Sequence, residues 1–218
     1  MTVDINANLA AFLQDRTPEA RYASFDYCFN YFQEARDSGN TAQLADDEHR
    51  MLSCFQLGFF LASWGMMRGS GDLYQRSVRD LLPVVEMIAS EPTVTWEFDA
   101  HCLTTRTKDV LALGSRVRQA FTIPASDILV TKTMLGVFGC VPAFDFYFRK
   151  GFGCSTLCAD ALVRIGTFYR DHQAAIDAMT VFTLDLDSGL DTERRYPRAK
   201  IIDMIFFQEG LNKGRRGG

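Results

Sequence analysis

Four charged residues of this chain sit in stretches of sequence that leave little room for water. Asp203 lies in Ile-Ile-Asp-Met-Ile-Phe-Phe and Asp145 in Val-Pro-Ala-Phe-Asp-Phe-Tyr-Phe-Arg. Asp26 stands among Phe25, Tyr27 and Phe29, and Arg68 follows a long apolar run. A carboxylate taken out of water needs hydrogen-bond donors or a cation, or its pKa rises. The four residues therefore predict at least one internal polar network, with Asp26 and Asp203 as members. Structural ion pairs and helix caps are the first reading of such a network, and a functional cleft is the second.

Other residue patterns fall short of a recognisable chemistry. Cys154 and Cys158 are four apart, but His49, His101 and His172 supply no neighbouring pair of ligands, so no metal site is expected. The run Asp185-Leu-Asp187-Ser-Gly189-Leu-Asp191 has glycine at its fifth place and Tyr196 at its twelfth, where a calcium loop wants glycine at the sixth and glutamate at the twelfth. Gly69-Ser70-Gly71 lacks the lysine of a phosphate cradle and reads as a helix-ending turn. No serine elbow, zinc-protease helix or dinucleotide fingerprint is present, and no cofactor is expected. The final Arg215-Arg216-Gly217-Gly218 reads as a disordered tail.

The elements that must hold these residues repeat their apolar positions at helical spacing. A first helix is predicted over 6–14, and a second opens at Thr17-Pro18-Glu19-Ala20, with proline at its first position, and stops near Ser38-Gly39-Asn40. The next is read over 41–68; its second half is apolar all round, which predicts burial from several sides and makes it the central helix. Pro83 kinks or divides a helix over 73–88, and 91–99 is the best candidate for extended chain. Helices follow over 100–121, 127–138 (capped at Ala125-Ser126-Asp127), 144–150, 155–171 and 173–182. A polar loop spans 185–195, and Tyr196-Pro197 opens a last helix ending at Gly210. The expected fold is all-α: one multi-helix bundle over 1–211 with a buried central helix, little or no β, and a flexible basic tail over 212–218.

Of the 218 residues, 47% are hydrophobic and 23% charged, an ordinary mix for a globular protein with a sizeable core. The 18 phenylalanines predict thick aromatic packing. A net charge of −4 lacks the basic excess of most nucleic-acid binders. The apolar run 51–67 is too short for a bilayer span and holds Ser53, Gln56 and Ser63, so no membrane association is expected. Six cysteines set mostly in apolar runs, and an N-terminal Met-Thr-Val-Asp-Ile-Asn with no signal-peptide pattern, place the expectation in the cytoplasm.

One stretch carries a family resemblance. Val130-Thr-Lys132-Thr-Met-Leu-Gly-Val-Phe-Gly-Cys-Val-Pro142-Ala-Phe-Asp145 resembles a piece of the helix-hairpin-helix DNA glycosylase superfamily, closest to its 8-oxoguanine-glycosylase-like members. In that family a lysine-bearing apolar helix leads through a turn to a Pro-x-x-Asp segment that starts a helix, with basic residues after it; Arg149 and Lys150 occupy the basic place here. The resemblance implies that Asp145 supports catalysis at the sugar of an extruded nucleotide, with Arg149 and Lys150 near phosphate and Trp64 or the Phe25–Phe32 cluster as an aromatic wall for the base; Lys132 and Arg68 complete the ligand-binding candidates. The glycine-rich Gly-x-Gly hairpin is missing before Lys132, and Lys132 lies closer to Asp145 than in lyase-type members, so a nucleophilic role for the lysine does not carry over.

With no complete catalytic set, the residues favour a helical interaction module, a homodimer or one subunit of an assembly, with a nucleobase or nucleic-acid connection as the sharpest lead. A glycosylase-like enzyme using Asp145, and a small-molecule enzyme with a pocket around Arg68 and Asp203, are the alternatives.

Overall fold

The most deeply buried element is a helix of mixed composition that begins at a serine. In the computed structural model, which describes residues 3–68 and 72–216, Ser126 caps helix Asp127–Phe138 by accepting the Leu129 N–H at 3.3 Å, and Gly139 ends it at φ +67°. Every residue from Leu129 to Phe138 is buried. The Thr131 and Thr133 hydroxyls are satisfied by the Asp127 and Leu129 carbonyls, which is how two polar side chains fit there. The helix predicted over 41–68 is therefore not the centre of the fold.

Among the described residues nine further α-helices and one hairpin surround this core. α1 (Ile5–Gln14) is followed by a turn and α2 (Ser24–Asp37); α3 (Arg50–Ser63) and α4 (Leu82–Ala89) precede α5 (Thr107–Ala120). The central helix is α6, and α7 (Phe146–Phe152), α8 (Ala159–Asp171) and α9 (Gln173–Ala178) come next. Strands β1 (Phe182–Leu184) and β2 (Asp191–Arg195) pair antiparallel, and α10 (Arg198–Arg216) closes the chain. α2, α3 and α5 pack on α6, while α10 lies against α7 and α1. The buried apolar residues form one cluster from Ile5 to Phe207. The fold is mostly helical, as expected, and the small sheet is an addition.

Several boundaries differ from the sequence reading for local reasons. α3 starts at Arg50 because Asp46 accepts the N–H groups of Glu48 and His49 at 3.1 and 2.8 Å, ending a 3-10 turn at Thr41–Ala45. Its apolar-all-round composition is not burial on all sides: Met51, Leu52, Phe55 and Phe59 are exposed. Pro18 lies in a turn against Gly189, and α2 opens seven residues after Thr17. Pro83 sits in the first turn of α4, where its missing N–H costs nothing. The stretch expected to be extended over 91–99 winds into a 3-10 turn at Thr93–Glu97, with the buried Glu91 carboxylate taking the Thr95 hydroxyl and both arms of Arg116. The expected loop over 185–195 is the hairpin. Asp185 folds its turn by accepting the Ser188 N–H at 2.8 Å, and Gly189 takes φ +68°.

Gly210, read as a stop signal, instead lies inside α10. A Cβ there would stand 2.7 Å from the Tyr147 carbonyl carbon, and one on Gly151 would stand 2.9 Å from the Gly210 nitrogen. Two glycines thus let α7 and α10 meet backbone to backbone, and the helix continues through most of the expected basic tail. Phe148, Phe152, Phe168 and Phe206 close the same interface, Phe206 lying 4.8 Å from the rings of both Phe152 and Phe168. Gly69-Ser70-Gly71 and the last two glycines of the predicted tail lie outside the described residues. Among the described residues no helix is long and apolar enough to cross a membrane.

Candidate active site

The buried α6 carries one lysine, and its surroundings define a cleft. Lys132 is 5% exposed. Its ammonium donates to the Trp64 carbonyl and lies 5.9 Å from the Trp64 ring centroid. Trp64 is the C-cap of α3, so the end of one helix meets the middle of another here. Burial lowers the Lys132 pKa; Asp145 and Asp203 pull it back up, and Arg68 and Arg21 push it further down.

Asp145 reaches the same cleft from the other side. Gly139 turns the chain after α6, and two hydrogen bonds then fix the segment leading to the aspartate. The Ala143 N–H donates to Asp203 at 3.0 Å and the Phe144 N–H to Thr131 at 2.8 Å. Asp145 itself caps α7, accepting the Phe148 N–H at 2.9 Å. Burial raises its pKa and the charge of Asp203 raises it further, while the Phe148 N–H and Lys132 act against both.

Between Lys132 and Asp145 opens a cavity of about 300 Å³. Its walls are aromatic: Tyr22, Trp64, Tyr147 and Phe207, with Tyr147 and Phe207 5.2 Å apart and Tyr22 and Trp64 6.2 Å apart edge to face. Trp64 is held by its indole N–H, which donates to Ser24 at 3.1 Å, and by the ammonium of Lys200, 4.2 Å from the ring centroid. Arg21 and the exposed Arg68 stand on the lining as the cationic groups nearest solvent.

The cleft thus gathers Lys132, Asp145, Trp64 and Arg68. Arg149 and Lys150 belong elsewhere. They occupy the far end of the seven-residue α7, where Arg149 donates to the Ser155 carbonyl at 3.3 Å and Lys150 is exposed beside Gly214. Asp203 is not on the lining either, so the pocket expected around Arg68 and Asp203 has only its arginine. The aspartate is 2% exposed and lies beneath the cleft, paired with Lys200 at 2.9 Å. Asp26 forms a separate buried pair with Arg16 at 3.2 Å. One of its oxygens has no hydrogen-bond partner, and burial pushes its pKa up to about 6 against the pull of Arg16 and Tyr196.

Sequence reasoning missed Arg21, Tyr22, Tyr147 and Phe207, whose types are ordinary and whose positions along the chain are far apart. It also missed Lys200, which was readable: three residues before Asp203 on a helix is the spacing of facing side chains.

Chemically, the cleft pairs an amine biased toward its neutral form with a carboxyl biased toward its protonated form. A neutral amine is a base or nucleophile, and a protonated carboxyl is an acid. Among the described residues no group of three or more histidine, cysteine, aspartate or glutamate side chains could hold a metal. No family model matches this chain, and no curated protein or solved structure matches it either.

Proposed function

We propose that the cleft binds a nucleobase-bearing ligand with the base between its aromatic walls, and that Asp145 and Lys132 act there on the bond between base and sugar. One observation carries the reading: Trp64 and Arg68 from the end of α3, and Lys132 and Asp145 from the stretch 132–145, converge on one cavity in which burial biases the amine and the carboxyl in complementary directions. An unpaired base finds ring faces to stack on, and Arg21 and Arg68 suit the phosphate beside it. In the proposed hydrolysis the glycosidic bond breaks with its electron pair leaving on the base, which takes the Asp145 proton. The Asp145 carboxylate then stabilises the sugar cation while water adds at the anomeric carbon and gives its proton to the Lys132 amine. The chemistry needs no cofactor.

The test is binding and base release with nucleosides and with oligonucleotides carrying damaged or deaminated bases, followed by Trp64 fluorescence. Asp145→Asn is expected to abolish release and leave binding within a few-fold, and Lys132→Met to weaken both. Equal activity in wild type and Asp145→Asn would sink the reading.

A second reading, a non-catalytic interaction module that dimerises or joins a larger assembly, is favoured by the outer face of α3. There Met51 and Phe59 are each 67% exposed and Phe55 is 53% exposed. Sedimentation at micromolar concentration tests it, with Phe59→Asp expected to dissociate any dimer. Six free thiols, three of them buried, support a reducing, cytoplasmic location.

A further inference from the structure

Lys200 and Asp203 form an ion pair at 2.9 Å in which both side chains are almost wholly buried, 1% and 2% exposed. Such a pair is a poor investment in stability, because desolvating two charges costs about as much as their attraction returns. Its surroundings give it another use. The Lys200 ammonium is enclosed by three rings, 4.2 Å from Trp64, 4.9 Å from Phe25 and 5.2 Å from Phe12. Trp64 is one wall of the cleft. The second oxygen of Asp203 accepts the Ala143 N–H at 3.0 Å, two residues before Asp145 on the opposite wall. One turn of α10 therefore grips both sides of the cavity from below, and the Thr131 hydroxyl on α6 seconds the grip at Phe144.

We propose that Lys200 and Asp203 are positioning residues, a buried clamp that fixes the Trp64 ring relative to the Asp145 carboxyl and sets the Asp203 carboxylate behind the cleft. The inference deepens the reading above and rests on it. Among the described residues the ionisable groups facing the cleft are Lys132 from α6, Asp145 and Tyr147 from the start of α7, and Arg21, Tyr22 and Arg68 from the turns beside α2 and α3; Asp203 stands behind Asp145 and Lys132. The Asp203 charge raises both the Asp145 and the Lys132 pKa. It biases Asp145 toward its acid form and opposes the loss of the Lys132 proton.

The experiment is a carbon-detected NMR titration of the Asp145 carboxyl, without ligand, in the full chain. Asp203→Asn keeps an acceptor for the Ala143 N–H but strands the Lys200 cation. The double variant Lys200→Met with Asp203→Asn removes both charges at similar volume, an exchange that buried pairs commonly tolerate. In the double variant the Asp145 midpoint is expected to move down, and nucleoside affinity to fall roughly tenfold, the loss of about one well-placed contact. An Asp145 midpoint that stays where it is in wild type, in a variant that remains folded, overturns the clamp and leaves only a structural pair. If even the double variant does not fold, nucleoside affinity in Thr131→Val decides. That change frees the Phe144 N–H without touching a charge, and under the clamp it lowers nucleoside affinity with little movement of the midpoint. Unchanged affinity there overturns the clamp. A shifted midpoint in a protein that never binds nucleosides or releases a base would count against the proposed function and leave the electrostatic link standing.

Discussion

Replacing Gly210 by alanine tests the backbone contact on which the site is built. The added methyl would lie 2.7 Å from the Tyr147 carbonyl carbon and 3.0 Å from its Cα, where ordinary contact begins at 3.4 Å. The nearest atom of all is the Tyr147 carbonyl oxygen, so the obstacle is main chain that no rotamer change relieves, and α7 and α10 must part by more than an ångström. Overpacking of this kind costs about 1–3 kcal/mol, and rigid backbone belongs at the upper end. Alanine in mid-helix returns roughly 1 kcal/mol of propensity. The net expectation is a loss of about 2 kcal/mol, together with weakened nucleoside binding, because Tyr147 moves with α7. Gly214→Ala is the internal control. On the same helix its methyl meets only the Lys150 ammonium, at 3.7 Å, so propensity alone should act and stability should rise by up to about 1 kcal/mol. Urea unfolding at a fixed pH, with the slope checked for constancy, reads both. If the two variants unfold within about 0.5 kcal/mol of each other, a typical surface-substitution effect, the close approach of α7 and α10 is wrong.

Asp26 gives the chain a characteristic pH response. Its pKa is raised from 3.8 to about 6 in the folded protein, so its share of stability is fully present below pH 4 and is lost as pH rises through 6. The loss amounts to about 3 kcal/mol at most, and urea titrations from pH 4 to 7 should show a steeper fall for wild type than for Asp26→Asn. Glu91→Ala removes the acceptor that the Thr95 hydroxyl and Arg116 share, at 3.0 Å and at 2.6 and 2.7 Å. Because Arg116 can turn to water, the expected cost is about 2 kcal/mol, and a thermal melt that does not move would contradict it.

What the sequence disclosed follows from how local each signal was. The α6 boundaries were legible because Ser126 and Gly139 are strong cap residues flanking a mostly apolar stretch, and α1 was legible from its periodicity. The hairpin was not. Asp-Thr-Glu-Arg-Arg has no apolar alternation, and its pairing is fixed by Asp185, Gly189 and the Thr183–Thr192 hydroxyl contact at 2.6 Å rather than by a buried face. The centre of the fold was misassigned because composition counts apolar residues without saying which side they face: α3 spends several on solvent, while α6 hides a lysine. At the site, charges stranded in apolar runs pointed to Asp145, Asp203 and Asp26, since desolvation is written into neighbouring residues. The aromatic walls come from positions 22, 64, 147 and 207, and no one-dimensional pattern links them. Arg149 and Lys150 were assigned to the site by the family resemblance, as the basic residues after the Pro-x-x-Asp segment, yet one turn of helix points them away.

The reliance of Asp145 on the final helix has a consequence for biosynthesis. The motif over 130–150 emerges from the ribosome well before its acceptor on α10 exists, and the Ala143 amide has nothing from Asp203 to hold it until residue 203 is made. Joining these segments closes a loop of some sixty residues, an entropic toll levied late and in a single step. A nascent or prematurely terminated chain lacking α10 would therefore carry the whole recognisable motif and no assembled cavity.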